Sequence, residues 1–289
     1  MNRARCRAVV LVAAALAASP PLVVAPAAAV AATTPRATTM TPGGRPSQCP
    51  DGLLADLQTV VPKHLGIQNQ QKAEMLRFTN GVANLGEGDF RMAPVTDPGS
   101  GEIVSAQQEI LDADGNVVCA EEVGEFIFHP EHNHWHIADV ALYEVRIALD
   151  DGHGGSYGDV VANVHDFANS VKTTFCLIDW YQLDSNSNKN ERVYWDCSAG
   201  LQGIQSGWVD QYHHSLPDQN IDLTGVAAGV YYLLSTANPD GDYAESDYTN
   251  NSAWVSFRLQ RGGGNPKLIE IDHSTCSSPG MCGEQALNR

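Results

Sequence analysis

Basic residues are scarce in this 289-residue chain: 17 Lys and Arg stand against 34 Asp and Glu, a formal net charge of −17. A surface so poor in positive charge repels nucleic acid and favours cationic partners. Long apolar runs are missing beyond the N-terminal leader, where nothing approaches the roughly 18 consecutive apolar residues of a membrane-crossing helix, so no membrane span is expected. No stretch repeats apolar residues at helical spacing over three turns, which leaves room only for few, short helices. No long internal repeat occurs. No two cysteines stand in a C-x-x-C spacing, so a metal-thiolate centre lacks its usual signature.

The leader itself reads as a signal peptide over residues 1–31. Arg3, Arg5 and Arg7 precede an apolar stretch from Ala8 to Ala18, and a Pro/Ala-rich segment ends on Ala29, Val30 and Ala31, small enough for signal peptidase. The protein is therefore expected to be secreted and extracellular. Removing 31 of 289 residues leaves 258, one large domain or two small ones, and moves the formal charge from −17 to −20. Residues 32–48, rich in Thr, Pro, Gly and Ser, read as a flexible linker. The folded domain is expected over 49–262, with a C-terminal tail at 263–289 strapped back by a disulfide. Of seven cysteines, Cys6 goes with the leader, and the even remainder argues for disulfides in an oxidising compartment. Sequence alone allows about fifteen connectivities; the pairs expected are Cys276 with Cys282, close neighbours in the tail, then Cys176 with Cys197 and Cys49 with Cys119.

Between the cysteines the chain shows short runs of β-branched and aromatic residues broken by Gly, Asn, Asp and Pro. They are Glu74 to Asn80, Glu125 to Phe128, Asp139 to Ala148, Lys172 to Ile178, Gly229 to Ser235 and Ser252 to Leu259. This pattern predicts an all-β fold, a β-sandwich with long loops.

Four of the ten histidines crowd into the segment from Phe128 to His136. On a strand, alternate side chains share a face, so His132, His134 and His136 point the same way and their imidazoles can converge on one ion. Pro130 restricts His129 to an extended conformation and breaks the period, making it an outer-shell residue or a bystander. The same phase continues through Ala138, Val140 and Leu142, which places the site at the end of a buried face. A lone histidine is more often a hydrogen-bonded core residue; three in strict alternation favour metal, because bare imidazoles on one apolar face would repel on protonation. Three neutral nitrogens with room for water suit Cu(II) best by affinity order, with Zn(II) next.

These residues resemble the copper-dependent lysyl oxidases, and the likeness runs from about Leu54 to Leu259. It is carried by the His-x-His-x-His strand, by Lys172 to Asp179, by Gln202 to Ile204 with Gly207 to Tyr212, and by Glu245 to Asn251. The resemblance implies that His132, His134 and His136 bind Cu2+ and that Lys172 and Tyr212 cross-link into lysine tyrosylquinone. It implies an oxidoreductase acting on CH-NH2 with oxygen as acceptor: a primary amine condenses with the quinone, a base removes the α-proton, and aldehyde, ammonia and hydrogen peroxide are released. Lys172 must be neutral to add to the oxidised ring, which calls for burial and a cationic metal nearby. Asp210 is the candidate base, a carboxylate whose pKa a low-dielectric site would raise, and reads equally well as a solvated loop residue. Tyr143 stands where the animal enzymes carry a further histidine, and Glu131 where they carry a cysteine. Their long accessory regions have no counterpart, so little more than the catalytic domain is expected.

Glu245, Asp247, Asn250 and Asn251 form an oxygen-rich cluster of the kind hard cations prefer. Alone, it reads as an Asx turn capping its own backbone. The resemblance adds Asp56 and the carbonyl of Leu57 and implies structural Ca2+. The acidic balance suits a cationic primary-amine substrate, lysine side chains of peptides or proteins or a free diamine, with dioxygen as the second substrate. Two rivals remain: a non-enzymatic extracellular β-sandwich adhesion or binding module, which would not need the histidines, and a copper carrier, which would not need Lys172 or Tyr212.

Overall fold

The computed structural model describes Cys49 and residues 52–130, 133–164, 168–183, 191–197 and 200–284, with the backbone alone at Lys172. The expected signal peptide and linker lie outside the described residues, as do Glu131 and His132.

Short β-branched runs, each stopped by turn-forming residues before a helix can nucleate, give strands in chain order: β1 (Leu57–Thr59), β2 (Lys63–Gln70), β3 (Ala73–Asn84), β4 (Phe90–Thr96), β5 (Ile103–Leu111), β6 (Val117–Glu122), β7 (Phe126–His129), β8 (His134–Ala148), β9 (Tyr157–Val160), β10 (Ser170–Phe175), β11 (Tyr181–Gln182), β12 (Gln202–Ile204), β13 (Trp208–Tyr212), β14 (Asn220–Asp222), β15 (Gly229–Ala237), β16 (Ser252–Gln260) and β17 (Lys267–His273). The fold is all-β. Among the described residues the few short helices expected reduce to one 3-10 turn at Pro279–Cys282.

One sheet runs β1-β3-β13-β11, with β2 and β14 also on β3; a second runs β10-β8-β15-β16-β17, with β7 and β9 also on β8; a third runs β12-β4-β5-β6. Strand β1 packs across β15 and β16, so the first two sheets lie face to face. Their shared core takes Leu57, Leu76 and Phe78 from the first and Tyr143, Val145, Leu233 and Phe257 from the second, and the third adds Phe90, Met92 and Ala106. The rings of Phe78 and Tyr143 meet edge to face at 4.8 Å. All three expected disulfides form: Cys49–Cys119, Cys176–Cys197 and Cys276–Cys282. Strand β17, from the expected tail, extends the second sheet beside β16.

Polar groups stitch the buried interface between the sheets. Thr59 Oγ1 donates to the Ser235 carbonyl at 3.1 Å, and Ser235 Oγ donates to Asn80 Oδ1 at 2.9 Å. The Asn80 amide in turn donates to the Val60 carbonyl, and Asn80 is only 1% exposed. Stranding a buried donor or acceptor costs its desolvation, about 1–3 kcal/mol each. Asn80→Leu, close in volume but without either polar atom, is therefore expected to lower unfolding free energy by about 2–4 kcal/mol; urea denaturation that moves the midpoint negligibly would show that the stitch contributes nothing.

Candidate functional site

The histidine segment is split by a hairpin. Pro130 cannot donate to a ladder, and Asn133, at φ 55°, accepts the left-handed conformation of a tight turn while its N–H closes onto the His129 carbonyl at 2.8 Å. Strand β7 therefore ends at His129, β8 begins at His134, and these two are cross-strand partners. Cross-strand partners share a face. His129, expected to be out of phase, consequently stacks on His136, ring centroids 4.2 Å apart at 27°, and joins the cluster. His134 also stacks on His136, ring centroids 4.9 Å apart, with its Nε2 2.9 Å from His136 Nε2. The Nδ1 of His136 meets Thr174 Oγ1 at 3.0 Å, and the same hydroxyl lies 3.4 Å from His129 Nε2. Beyond His136, Asp139 takes a φ of 51° and interrupts the regular alternation of β8, and Ile137, Val140, Ala141, Tyr143 and Val145 all pack in the main core, so the cluster does sit at the end of a buried stretch.

Two nitrogens bound to one ion at about 2.0–2.1 Å and at about a right angle stand about 2.9 Å apart. The His134–His136 separation thus fits a shared ion, and the hydroxyl on His136 Nδ1 is the kind of outer contact that leaves Nε2 as the ligand.

Tyr212, the last residue of β13, is held by the segment that follows β10. Its hydroxyl accepts the Cys176 N–H at 2.8 Å and donates to the Cys176 carbonyl at 3.1 Å, and its ring meets Phe175 at 4.3 Å. Lys172 lies in β10 opposite Leu142 of β8. Asp210 shares the phase of Tyr212 on β13, is 2% exposed, and its Oδ1 has no hydrogen-bond partner. Burial, reinforced by the Asp179 carboxylate, pushes the Asp210 carboxyl well above the usual range. The Tyr212 phenol is likewise pushed well up, by burial first and then by Asp210. Asp210 is thus enclosed, not solvated. Tyr143 is fully buried near Asp210, and its hydroxyl makes no well-formed hydrogen bond.

The oxygen-rich loop docks on the first strand. Glu245 Oε2 accepts the Leu57 N–H at 2.8 Å, and Oε1 accepts from Asn238 and Asn251 side-chain amides at 2.6 and 2.7 Å. Asp56 Oδ1 accepts from Asn250 Nδ2 at 3.0 Å. Asp247 is turned to its own loop, bonding the N–H and hydroxyl of Thr249 at 2.8 and 2.7 Å. Burial pushes the Glu245 carboxyl up to about 7 despite its three donors. Asn250 Oδ1 and Asn251 Oδ1 are buried oxygens without a hydrogen-bond partner. Orphaned acceptors beside two carboxylates fit a hard cation.

A family model described as lysyl oxidase matches residues 107–263, more than half of the chain. The chain belongs to the lysyl oxidase family. Among curated relatives it is 30% identical over 178 residues to lysyl oxidase homolog 3A of Danio rerio, covering 62% of this chain and 18% of that protein. Lysyl oxidase homolog 2 of Xenopus tropicalis is 30% identical over 61% of this chain and 17% of its own length. Lysyl oxidase homolog 3 of Homo sapiens is 29% identical over 62% of this chain and 18% of its own length. The chain thus spans less than a fifth of the relatives it matches.

Within this lysyl oxidase family domain, β10 and the residue after Phe175 bring the sequence motifs together. Thr174 touches His136 and Cys176 holds Tyr212, two residues apart in sequence. Sequence reasoning missed Thr174 and underrated His129; the Thr between Lys172 and Cys176 carried no signal of its own, whereas Pro130 with Asn133 marked the turn that returns His129 to the cluster. Tyr212→Phe should strand the Cys176 N–H and carbonyl, lowering unfolding free energy by about 1–3 kcal/mol. An unchanged denaturation midpoint would mean that the phenol does not anchor that segment.

Proposed function

We propose that this chain is a secreted, copper- and quinone-dependent amine oxidase, converting primary amines, peptidyl lysine or related, to aldehydes with release of ammonia and hydrogen peroxide. The observation that carries the reading is that β10, which bears Lys172, and the Cys176 that follows it touch both the histidine cluster and the half-buried Tyr212 of β13. His132, His134 and His136 are the copper ligands in this reading, and Lys172 and Tyr212 the precursors of lysine tyrosylquinone. Bound copper and the quinone would supply the electrophilic carbonyl and the route for electrons to dioxygen.

The chain's own residues bind, orient and move protons. With His136 Nδ1 donating to Thr174 Oγ1, the tautomer this reading requires, Nε2 is left as the lone pair for metal. Both backbone polar atoms of Cys176, with the ring of Phe175 packed at a steep angle, hold the Tyr212 ring in place. Asp210 is the proton acceptor at the substrate's α-carbon: with a raised carboxyl and an unpartnered Oδ1, it binds a proton more readily than a solvated carboxylate. The acidic chain concentrates cationic amines near the site. Three disulfides, the leader and the lack of a long apolar helix among the described residues support export rather than membrane insertion. Asp56, the Leu57 carbonyl, Glu245, Asp247, Asn250 and Asn251 hold a structural Ca2+ in the same reading, supported by the two orphaned asparagine oxygens.

Lys172→Arg separates this oxidase from a copper carrier, because a guanidinium stays protonated and cannot add to the oxidised ring. The variant should keep copper but lose quinone absorbance, phenylhydrazine reactivity and amine-dependent peroxide, as should Tyr212→Phe; His134→Ala should lose copper as well. Peroxide release retained by a copper-loaded Lys172→Arg enzyme sinks the assignment.

Calcium should raise the melting temperature, with about 2.7 kcal/mol gained at about 100 times Kd. The pH dependence follows from Glu245. Its folded value of about 7 exceeds the ordinary 4.5, so without calcium its contribution to stability is intact below 4.5 and is lost as pH rises through 7. A dication offsets that loss, and protons compete with it at low pH. The calcium-induced rise should therefore be larger at alkaline than at acidic pH; melting curves that ignore chelator at both leave only the Asx turn.

A further inference from the structure

A second set of three histidines lies on the first sheet, apart from β8. Strand β2 slips its register against β3 between Lys63 and Gly66, and within that bulge His64 adopts a φ of 55°. A bulge re-aims a side chain, and a left-handed non-glycine backbone is uncommon enough to need a cause. Here it turns His64 towards His213 and His214, the two residues that follow β13. His213 and His214 rings are 3.9 Å apart, and His64 lies 5.5 Å from His214 and 6.1 Å from His213. One ring nitrogen from each of the three falls within 4.8 Å of one from each of the others.

Hydroxyls steady all three rings. Thr79 Oγ1 lies 3.2 Å from Nδ1 of both His64 and His214 and accepts the His214 N–H at 3.0 Å, while Ser215 Oγ lies 2.8 Å from His213 Nδ1. His64 and His213 are exposed and His214 is half-buried, so an ion has access from solvent. The facing charges are Lys63, Arg77 and Glu270. Burial, then the neighbouring rings and cations, holds His64 and His214 below the ordinary imidazole value. The other His/Cys group, His273 with Cys276 and Cys282, has its sulfurs in a disulfide and offers no thiolate.

We propose that His64, His213 and His214 form a second metal site, taking one divalent transition ion that favours imidazole nitrogen, with solvent completing its shell. Three nitrogen donors without a carboxylate ligand select zinc- or copper-like ions over calcium or magnesium. The ion would clamp the bulge of β2 to the residues immediately after Tyr212. Nothing in this inference depends on the oxidase reading.

Zinc is the probe. Calorimetric titration of the folded chain should show one more equivalent in the wild type than in a His64→Ala, His213→Ala variant. That equivalent should persist when His134 and His136 are both replaced by alanine, which separates it from the other cluster. His213 is exposed, and metal-free melting curves check that the variant keeps its fold. As a test independent of that variant, zinc should protect His64, His213 and His214 from diethylpyrocarbonate in the His134→Ala, His136→Ala chain, read by peptide mass spectrometry. Equal zinc stoichiometry in wild type and the His64→Ala, His213→Ala variant, or modification of these histidines unaffected by zinc, overturns the proposal.

Discussion

Strand β8 is the constraint on which the rest depends. It pairs with β7, β9, β10 and β15, so both of its edges are occupied and its fifteen residues cannot slide. A one-residue slip would send His134 and His136 to the opposite face and Tyr143 and Val145 out of the core. Because β10 is registered on β8 through Lys172 opposite Leu142, the same ladder sets how far Lys172 stands from the histidines. Past the irregularity between Thr173 and Phe175, the chain turns its Cys176 backbone to Tyr212 on the first sheet. The disulfide from Cys176 to Cys197 continues this tie, since the Cys197 carbonyl accepts the Trp135 N–H between the two histidines.

Three buried carboxylates show how the same chemistry serves different ends. Asp179 accepts from the backbone of Val193, Tyr194 and Gln205 and from the Gln205 side chain. Glu245 accepts from Leu57, Asn238 and Asn251. Such saturated carboxylates hold loops, because removing one would leave several donors unmet. Asp210 differs: burial raises it, and one oxygen has nothing to accept from. A buried polar atom left unpaired costs stability and is retained most often where chemistry needs it. The contrast, more than any one shift, sets Asp210 apart from the carboxylates that hold loops.

The first and last parts of the domain are joined through side chains rather than through long ladders. Ala55 bridges Glu245, the Ala55 carbonyl accepts the Ser246 N–H, and Asp56 reaches Asn250. These links connect residues almost two hundred positions apart, a closure that costs chain entropy and so gains from any cation that draws the acidic groups together.

Much of the architecture was legible in the residues themselves. All six expected β-branched runs fall within or across β3, β7, β8, β10, β15 and β16, because alternation and branching report a pleated, half-buried surface wherever it sits. The exposed edge strand β2, with Gly66 and its glutamines, and the polar β17 escaped notice, since an edge facing water needs little apolar patterning. The local order of histidines and the cysteine count were likewise read directly from sequence, whereas Lys172 and Tyr212 stood out only through the resemblance to the lysyl oxidases. What sequence could not decide was which motifs touch. Pro130 and Asn133 split the histidine segment so that His129 returned to the cluster, and Thr174 became its contact only through the β8–β10 register. The three cysteine pairs agree with expectation; Cys276 and Cys282 are neighbours in sequence, whereas Cys49–Cys119 and Cys176–Cys197 are brought within bonding distance only by the fold. Local pattern determines strands because side-chain alternation is a property of neighbours in sequence; register, hairpin closure and sheet packing determine sites because they join residues that only the folded chain makes neighbours.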